Sequence, residues 1–151
     1  MAVGGTFDHF HEGHASLLLR AFDLGELIII GVTSDAFAEK LGKKGIQDFN
    51  QRIGQVKAFL IVKNLIERAQ LIELNDEFGP LLDDPKICGI VVTQETLGNA
   101  ERANRIRAEK NMPLLKIFVQ EFLLAKDGKP ISSSRIRNKE IDERGYVLRK
   151  D

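Results

Sequence analysis

A single cysteine, Cys88, stands among the 151 residues, so neither an internal disulfide framework nor a multi-thiolate zinc site is available to the chain. That usage fits a reducing cytoplasm, and Cys88, lying in an apolar run, reads as a small buried hydrophobe. Tryptophan is absent and tyrosine occurs once, while 22 Lys and Arg balance 22 Asp and Glu to a formal net charge of zero. Without an overall positive field or a supply of stacking aromatics, neither nucleic acid nor an anionic membrane surface is an expected partner. Apolar runs of the ~20 residues needed to cross a bilayer are missing, as is a basic then apolar leader, so a cytoplasmic location is expected. Proline is scarce and scattered, at Pro80, Pro85, Pro113 and Pro130, and linkers, repeats and low-complexity tracts are lacking. With 43% hydrophobic residues, one domain spanning 1–151 is expected, and composition alone specifies no oligomeric state.

What the chain does contain is alternation. Ala2-Val3 leads into Gly4-Gly5, and a helical pattern from about His14 to Asp23 places Leu17, Leu18 and Ala21 on one face before Gly25. Leu27 to Val32 is an unbroken apolar run, the pattern of a parallel strand buried on both faces. Helices follow from about Asp35 to Leu41 and, opened by a capping box at Asp48 and Gln51, through Ile53, Val56 and Leu60 towards Leu65. Further strands are expected at Ala69 to Leu74, Ile87 to Thr93 and Leu114 to about Phe122, with a helix from Gly98 to about Lys110 between the last two. A turn at Asp127-Gly128-Lys129-Pro130 precedes a last helix entered at Ser132 to Ser134. Strands alternating with helices predict right-handed βαβ crossovers, hence a Rossmann-like α/β fold with about five parallel strands and helices on both faces. Ligands of such sheets bind beyond the carboxyl ends of the strands.

The loop after the first strand reads Gly4-Gly5-Thr6-Phe7-Asp8-His9-Phe10-His11-Glu12-Gly13-His14. Gly4 and Gly5 let the backbone approach a ligand, and Thr6 offers a hydroxyl. His11 and His14, three apart at a helix start, fall on one side where free backbone N–H groups favour an anion. A phosphate site is the expectation. His9 alone reads as a satisfied, half-buried side chain, and a zinc site with Asp8 or Glu12 as further ligand is the rival reading. Near the other end, Ile131-Ser132-Ser133-Ser134-Arg135-Ile136-Arg137 combines a helix N-cap pattern with hydroxyls and cations able to hold a triphosphate tail, Arg135 or Arg137 neutralising it.

Gly-Thr-Phe-Asp joined to His11-x-Gly13-His14 resembles the signature of the nucleotidyltransferase superfamily that includes the class I aminoacyl-tRNA synthetases, and the serine segment resembles that superfamily's second signature. Val91-Val92-Thr93-Gln94-Glu95-Thr96 followed by Asn104-Arg105-x-Arg107 resembles the archaeal type of phosphopantetheine adenylyltransferase and the related domain of eukaryotic bifunctional coenzyme A synthase, a likeness covering nearly the whole chain. Lys43-Lys44 with Arg52 is similar in spacing to a lysine pair and an arginine of the bacterial enzyme. The first strand is shorter than in similar proteins, which suggests a start assigned late or a thin edge of the sheet. Gln94 stands where similar proteins often have another polar residue.

The resemblance implies transfer of the adenylyl group of ATP to 4′-phosphopantetheine, with magnesium carried by ATP and no resident metal. It implies Thr6, His14 and Lys43 as catalytic residues, and Gly5, Thr6, His11, His14, Arg107, Ser132, Ser133, Ser134 and Arg135 as nucleotide-binding ones. The alternatives are a glycerol-3-phosphate cytidylyltransferase, an FMN or nicotinamide-mononucleotide adenylyltransferase, and a non-catalytic nucleotide sensor. Asp127-Gly128-Lys129-Pro130, standing where cytidylyltransferases usually carry Arg-Thr-x-Gly, counts against the first of these.

Overall fold

Three consecutive isoleucines, Ile28 to Ile30, need cover on both sides wherever they pair, because successive strand residues point to opposite faces. A computed structural model, which describes residues 1–148, shows how they obtain it. Strand β1 (Ala2–Gly5) is followed by helix α1 (Glu12–Leu24), β2 (Ile28–Thr33), α2 (Asp35–Lys40), α3 (Phe49–Val62), β3 (Ala69–Leu74), β4 (Gly89–Val92), α4 (Leu97–Glu109), β5 (Lys116–Val119) and α5 (Ser133–Arg137). The five strands form one parallel sheet in the order β3-β2-β1-β4-β5.

Each face of the sheet has its own core. Val3, Ile28, Ile30, Val32 and Val91 pack against Leu17, Leu18, Ala21 and Phe22 of α1 and Val56 and Leu60 of α3. Ala2, Ile90 and Val92 face the other way, onto Ala100 and Ala103 of α4, with Ile29 and Ile117 alongside. The single-residue alternation along β1 and β2 therefore sorts neighbouring apolar side chains into two layers. Asp48 caps α3 through the Gln51 amide at 2.8 Å, and Gln51 returns the bond to the Asp48 amide, forming the expected capping box.

Three expectations need correction. β1 is the central strand, paired on both sides, so its shortness leaves no thin edge. Cys88 is exposed: it lies just before β4 begins at Gly89, next to Ile87 at 2% exposure, so that apolar run is not buried as a whole. β5 ends at Val119, where its partner β4 ends, leaving Phe122, Leu123 and Leu124 outside the ladder and exposed. Short 3₁₀ turns at Ile66–Arg68 and Gly79–Leu82 carry no strong periodicity and escape a reading by pattern. The expected domain ends at residue 151, of which 149–151 lie outside the described residues. No described helix is long and apolar enough to cross a membrane.

Candidate active site

Strand order reverses between β1 and β4, and a cleft of about 930 Å³ at that point gathers polar side chains. The loop after β1 forms one wall. His11 is the N-cap of α1: its Nδ1 accepts the amide hydrogens of Gly13 (3.0 Å) and His14 (3.3 Å), and the His14 Nδ1 accepts that of His11 (3.2 Å). The two rings stack with centroids 3.7 Å apart, and Phe7 and Phe10 lie against His14 at 5.3 and 5.5 Å. An imidazole nitrogen that accepts an amide hydrogen carries no proton, so each ring holds its proton on Nε2. Burial pushes the His11 imidazole down to about 4, Asp8 opposing, and burial followed by the His11 and Lys43 charges holds His14 well below its ordinary value. Both rings are therefore neutral near pH 7, with Nε2–H as the donor left for a ligand.

This geometry alters the expected use of the helix start. The Glu12 amide donates to the Glu143 carbonyl at 3.0 Å, and those of Gly13 and His14 are taken by His11. An anion consequently meets imidazole N–H groups rather than free backbone ones. Gly13 belongs to the same device, since a Cβ there would sit 2.8 Å from the His11 Cε1.

Facing the histidines, Lys43 Nζ donates to Thr6 Oγ1 at 2.8 Å. Burial, chiefly, with the Arg137 and Arg52 charges, lowers the Lys43 ammonium from its ordinary value, while Glu95 and Asp8 oppose. Under this pair lies Arg52, 0% exposed, donating to the carbonyls of Thr6 (2.9 Å), Thr33 (2.6 Å) and Gln47 (2.9 Å) and paired with Asp35 (2.9 Å). It ties the ends of β1 and β2 together beneath Thr6 and Lys43.

The serine segment closes the cleft from the C-terminal side. Ser132 caps α5, accepting the Arg135 amide at 3.3 Å, Ser133 Oγ donates to the Asp8 carbonyl at 2.5 Å, and Ser134 Oγ accepts from Arg137 at 3.2 Å. Arg137 also pairs with the Asp8 carboxylate.

Gly5, Thr6, His11, His14, Lys43, Ser132, Ser133 and Ser134 thus come together along one cleft, and Lys44 lines it too. Two expected residues do not. Arg107 is 0% exposed and spends its guanidinium on the carbonyls of Pro113 (2.7 Å), Leu81 (2.8 Å) and Ile87 (2.9 Å), fastening α4 to the loop before β4. Arg135 turns to Asp127, Glu140 and the Pro130 carbonyl. The cation that reaches the cleft from this segment is Arg137, and the signal was its i,i+3 spacing from Ser134, which puts both on one face of α5 and Arg135 on another. Asn104 exchanges both its amide groups with the Leu115 backbone, so it holds β5 rather than a ligand. Arg102 also lines the cleft, with Glu77, its partner at 3.0 Å. The zinc reading finds no support: among the described residues no three His, Cys, Asp or Glu side chains converge on a metal position.

The chain can now be placed among known proteins. The profile of the cytidylyltransferase-like family matches residues 2–139. A phosphopantetheine adenylyltransferase of Methanopyrus kandleri is 42% identical over 95% of this chain and 90% of its own length. Another, from Methanothermobacter thermautotrophicus, is 40% identical over 99% of this chain and 90% of its own length. Among solved structures, a protein of unknown function from Archaeoglobus fulgidus superposes with a TM-score of 0.72 at 31% identity, covering 82% of this chain and 98% of that one. With the paired histidines, the lysine and the serine segment meeting at the switch point of a five-stranded parallel sheet, the chain belongs to the cytidylyltransferase-like family, in the group that holds the archaeal phosphopantetheine adenylyltransferases.

Proposed function

We propose that this protein transfers the adenylyl group of ATP to 4′-phosphopantetheine, giving dephospho-coenzyme A and pyrophosphate. The observation that carries the reading is the meeting, in one cleft, of neutral imidazole donors, a lysine on a threonine, and a serine and arginine cluster from the far end of the chain. A phosphomonoester oxygen attacks the α-phosphorus of ATP, a new P–O bond forms, and the bond from α-phosphorus to the bridging oxygen breaks to release pyrophosphate. The acceptor is already anionic, so no strong general base is required. The difficulty is bringing two anions into line, which makes positioning and charge stabilisation the main contributions.

Roles follow from the donor inventory. Thr6 orients the acceptor or α-phosphate, and Lys43, held on Thr6, supplies positive charge at the α-phosphorus. His14 donates Nε2–H to an α-phosphate oxygen and His11 steadies the triphosphate, both without changing protonation state. Ser133, Ser134 and Arg137 receive the pyrophosphate end. Magnesium enters as part of the ATP complex, keeping most of its ligands as phosphate oxygens and water.

Pyrophosphate release by the purified protein, with ATP and magnesium and each of 4′-phosphopantetheine, glycerol 3-phosphate, FMN and nicotinamide mononucleotide, tests the reading. Turnover with 4′-phosphopantetheine alone is the expected result. Turnover with another acceptor would keep the chemistry and replace the substrate, and ATP binding without release under any acceptor would refute the transferase reading.

A further inference from the structure

Three segments far apart in sequence carry the phosphate-facing groups: the loop after β1, the loop 41–47 bearing Lys43 and Lys44, and α5 with its serines and Arg137. One residue touches all three. Asp8, 2% exposed, accepts the Gln47 amide on Oδ1 at 2.7 Å, pairs with Arg137 through Oδ2, and through its own carbonyl accepts Ser133 Oγ at 2.5 Å. His9 Nε2 lies 4.0 Å from the same Oδ2. These partners are 39, 129 and 125 residues away, so local geometry cannot account for the meeting.

The lysine loop has special need of such a tie. Gly42 and Gly45 hold φ of +79° and +68°, and a Cβ at either position would meet nothing within 4 Å. Lys43 and Lys44 thus sit between two conformationally permissive, unpacked residues. The start of the loop is held by its bonds back to α2, Gly42 to Glu39 and Lys43 to Ala38, and its far end, Gln47, by the Asp8 carboxylate on its amide, with Arg52 on its carbonyl (2.9 Å) and the His9 amide on its side-chain oxygen (2.9 Å).

We propose that Asp8 is a positioning residue that sets Arg137 and the lysine loop against each other across the cleft, each through a different carboxylate oxygen. The two oxygens make the two arms separable. Asp8→Asn keeps an oxygen for the Gln47 amide but presents an NH₂ group to Arg137, so only the arginine arm is lost. Asp8→Ala loses both arms. The turnover readout rests on the transferase reading above, whereas ATP affinity and loop accessibility do not.

The test measures three quantities on the full chain: ATP affinity by calorimetry, turnover with 4′-phosphopantetheine, and the rate of limited trypsin cleavage after Lys43 and Lys44. Urea midpoints of both variants establish that each is folded under assay conditions. Asp8→Asn should weaken ATP binding about tenfold and lower kcat/KM by at least as much, with cleavage at the lysines as in the unmodified protein. Asp8→Ala should do the same and speed cleavage several-fold. In the double variant Asp8→Asn with Arg137→Met, the losses should not multiply, because both substitutions break one contact. Unchanged ATP affinity in folded Asp8→Asn, unchanged cleavage in Asp8→Ala, or fully multiplying losses in the double variant would each overturn the proposal. Absence of turnover in the unmodified protein with every acceptor would instead count against the transferase reading, and the binding and cleavage results would still decide the role of Asp8.

Discussion

Lowering the pH should destabilise this protein through His11 in a way that can be worked out and isolated. The His11 imidazole is 7% exposed, caps α1 through an unprotonated Nδ1, and is pushed down to about 4 from an ordinary 6.5. In the unfolded chain it takes up a proton near 6.5, but in the folded protein only near 4, so between these values the unfolded state binds more protons. Stability from this group is complete above about pH 6.5, falls as pH falls through the window, and levels off below about 4. At 1.36 kcal/mol per pKa unit the whole window is worth about 3 kcal/mol, most of it lost by pH 4.5. His11→Asn supplies the control, because asparagine is a favourable N-cap and does not titrate. Urea unfolding of both proteins at pH 7.5 and 4.5, with the slope m checked for constancy, subtracts the carboxylates common to the two. The unmodified protein should lose roughly 2 to 3 kcal/mol more than His11→Asn over that interval. Equal losses would refute the picture of a buried neutral imidazole serving as the cap.

Gly13→Ala would set a methyl group 2.8 Å from the His11 ring; disruption of the cap, about 1 kcal/mol, and the helix preference of alanine over glycine, also about 1 kcal/mol, oppose each other, so urea midpoints should barely move while kcat falls at least tenfold. Normal turnover in that variant would mean that the ring positions are unimportant. His14→Ala should reduce kcat by about two orders of magnitude with the far-UV circular dichroism unchanged, the scale of losing one well-placed donor; turnover near the unmodified rate would remove His14 from the reaction. Arg107→Met strands three main-chain carbonyls and should cost about 3 kcal/mol or more in urea unfolding, with KM for ATP unaltered in the folded protein. Arg137→Met should raise the KM for ATP about tenfold in the folded protein, with a stability cost of its own because the buried Asp8 carboxylate loses its guanidinium, and a raised KM in Arg107→Met with an unaltered one in Arg137→Met would reinstate Arg107 as a phosphate ligand.

Much of the fold was legible because its signals are local. The Asp48 and Gln51 capping box marked the start of α3, the unbroken run from Leu27 to Val32 marked a strand covered twice that begins one residue later, leaving Leu27 exposed, and Ala69 to Leu74 was read with its observed bounds. The site was legible where a motif and its neighbours act together, as for Thr6, His11, His14 and the serines. Arginines were the least readable residues. Arg52, Arg107, Arg135 and Arg137 are alike in sequence, each near a phosphate motif, yet two are fully buried on main-chain carbonyls, one is paired with acids, and one faces the cleft. A guanidinium offers five donors at the end of a long side chain, so its partners depend on what the fold brings within reach.

The amino-acid sequence by itself determined the alternation of strands and helices, the parallel sheet it implies, and the histidine and serine motifs, since each rests on periodicity or on residues close together in the chain. Only the tertiary structure decided that β1 lies at the centre, that the α1 amides are already taken by His11 and Glu143, and that Asp8 joins segments 39 and 129 residues away. Strand order, amide satisfaction and long-range ion pairs depend on which distant atoms become neighbours, and no local pattern records that.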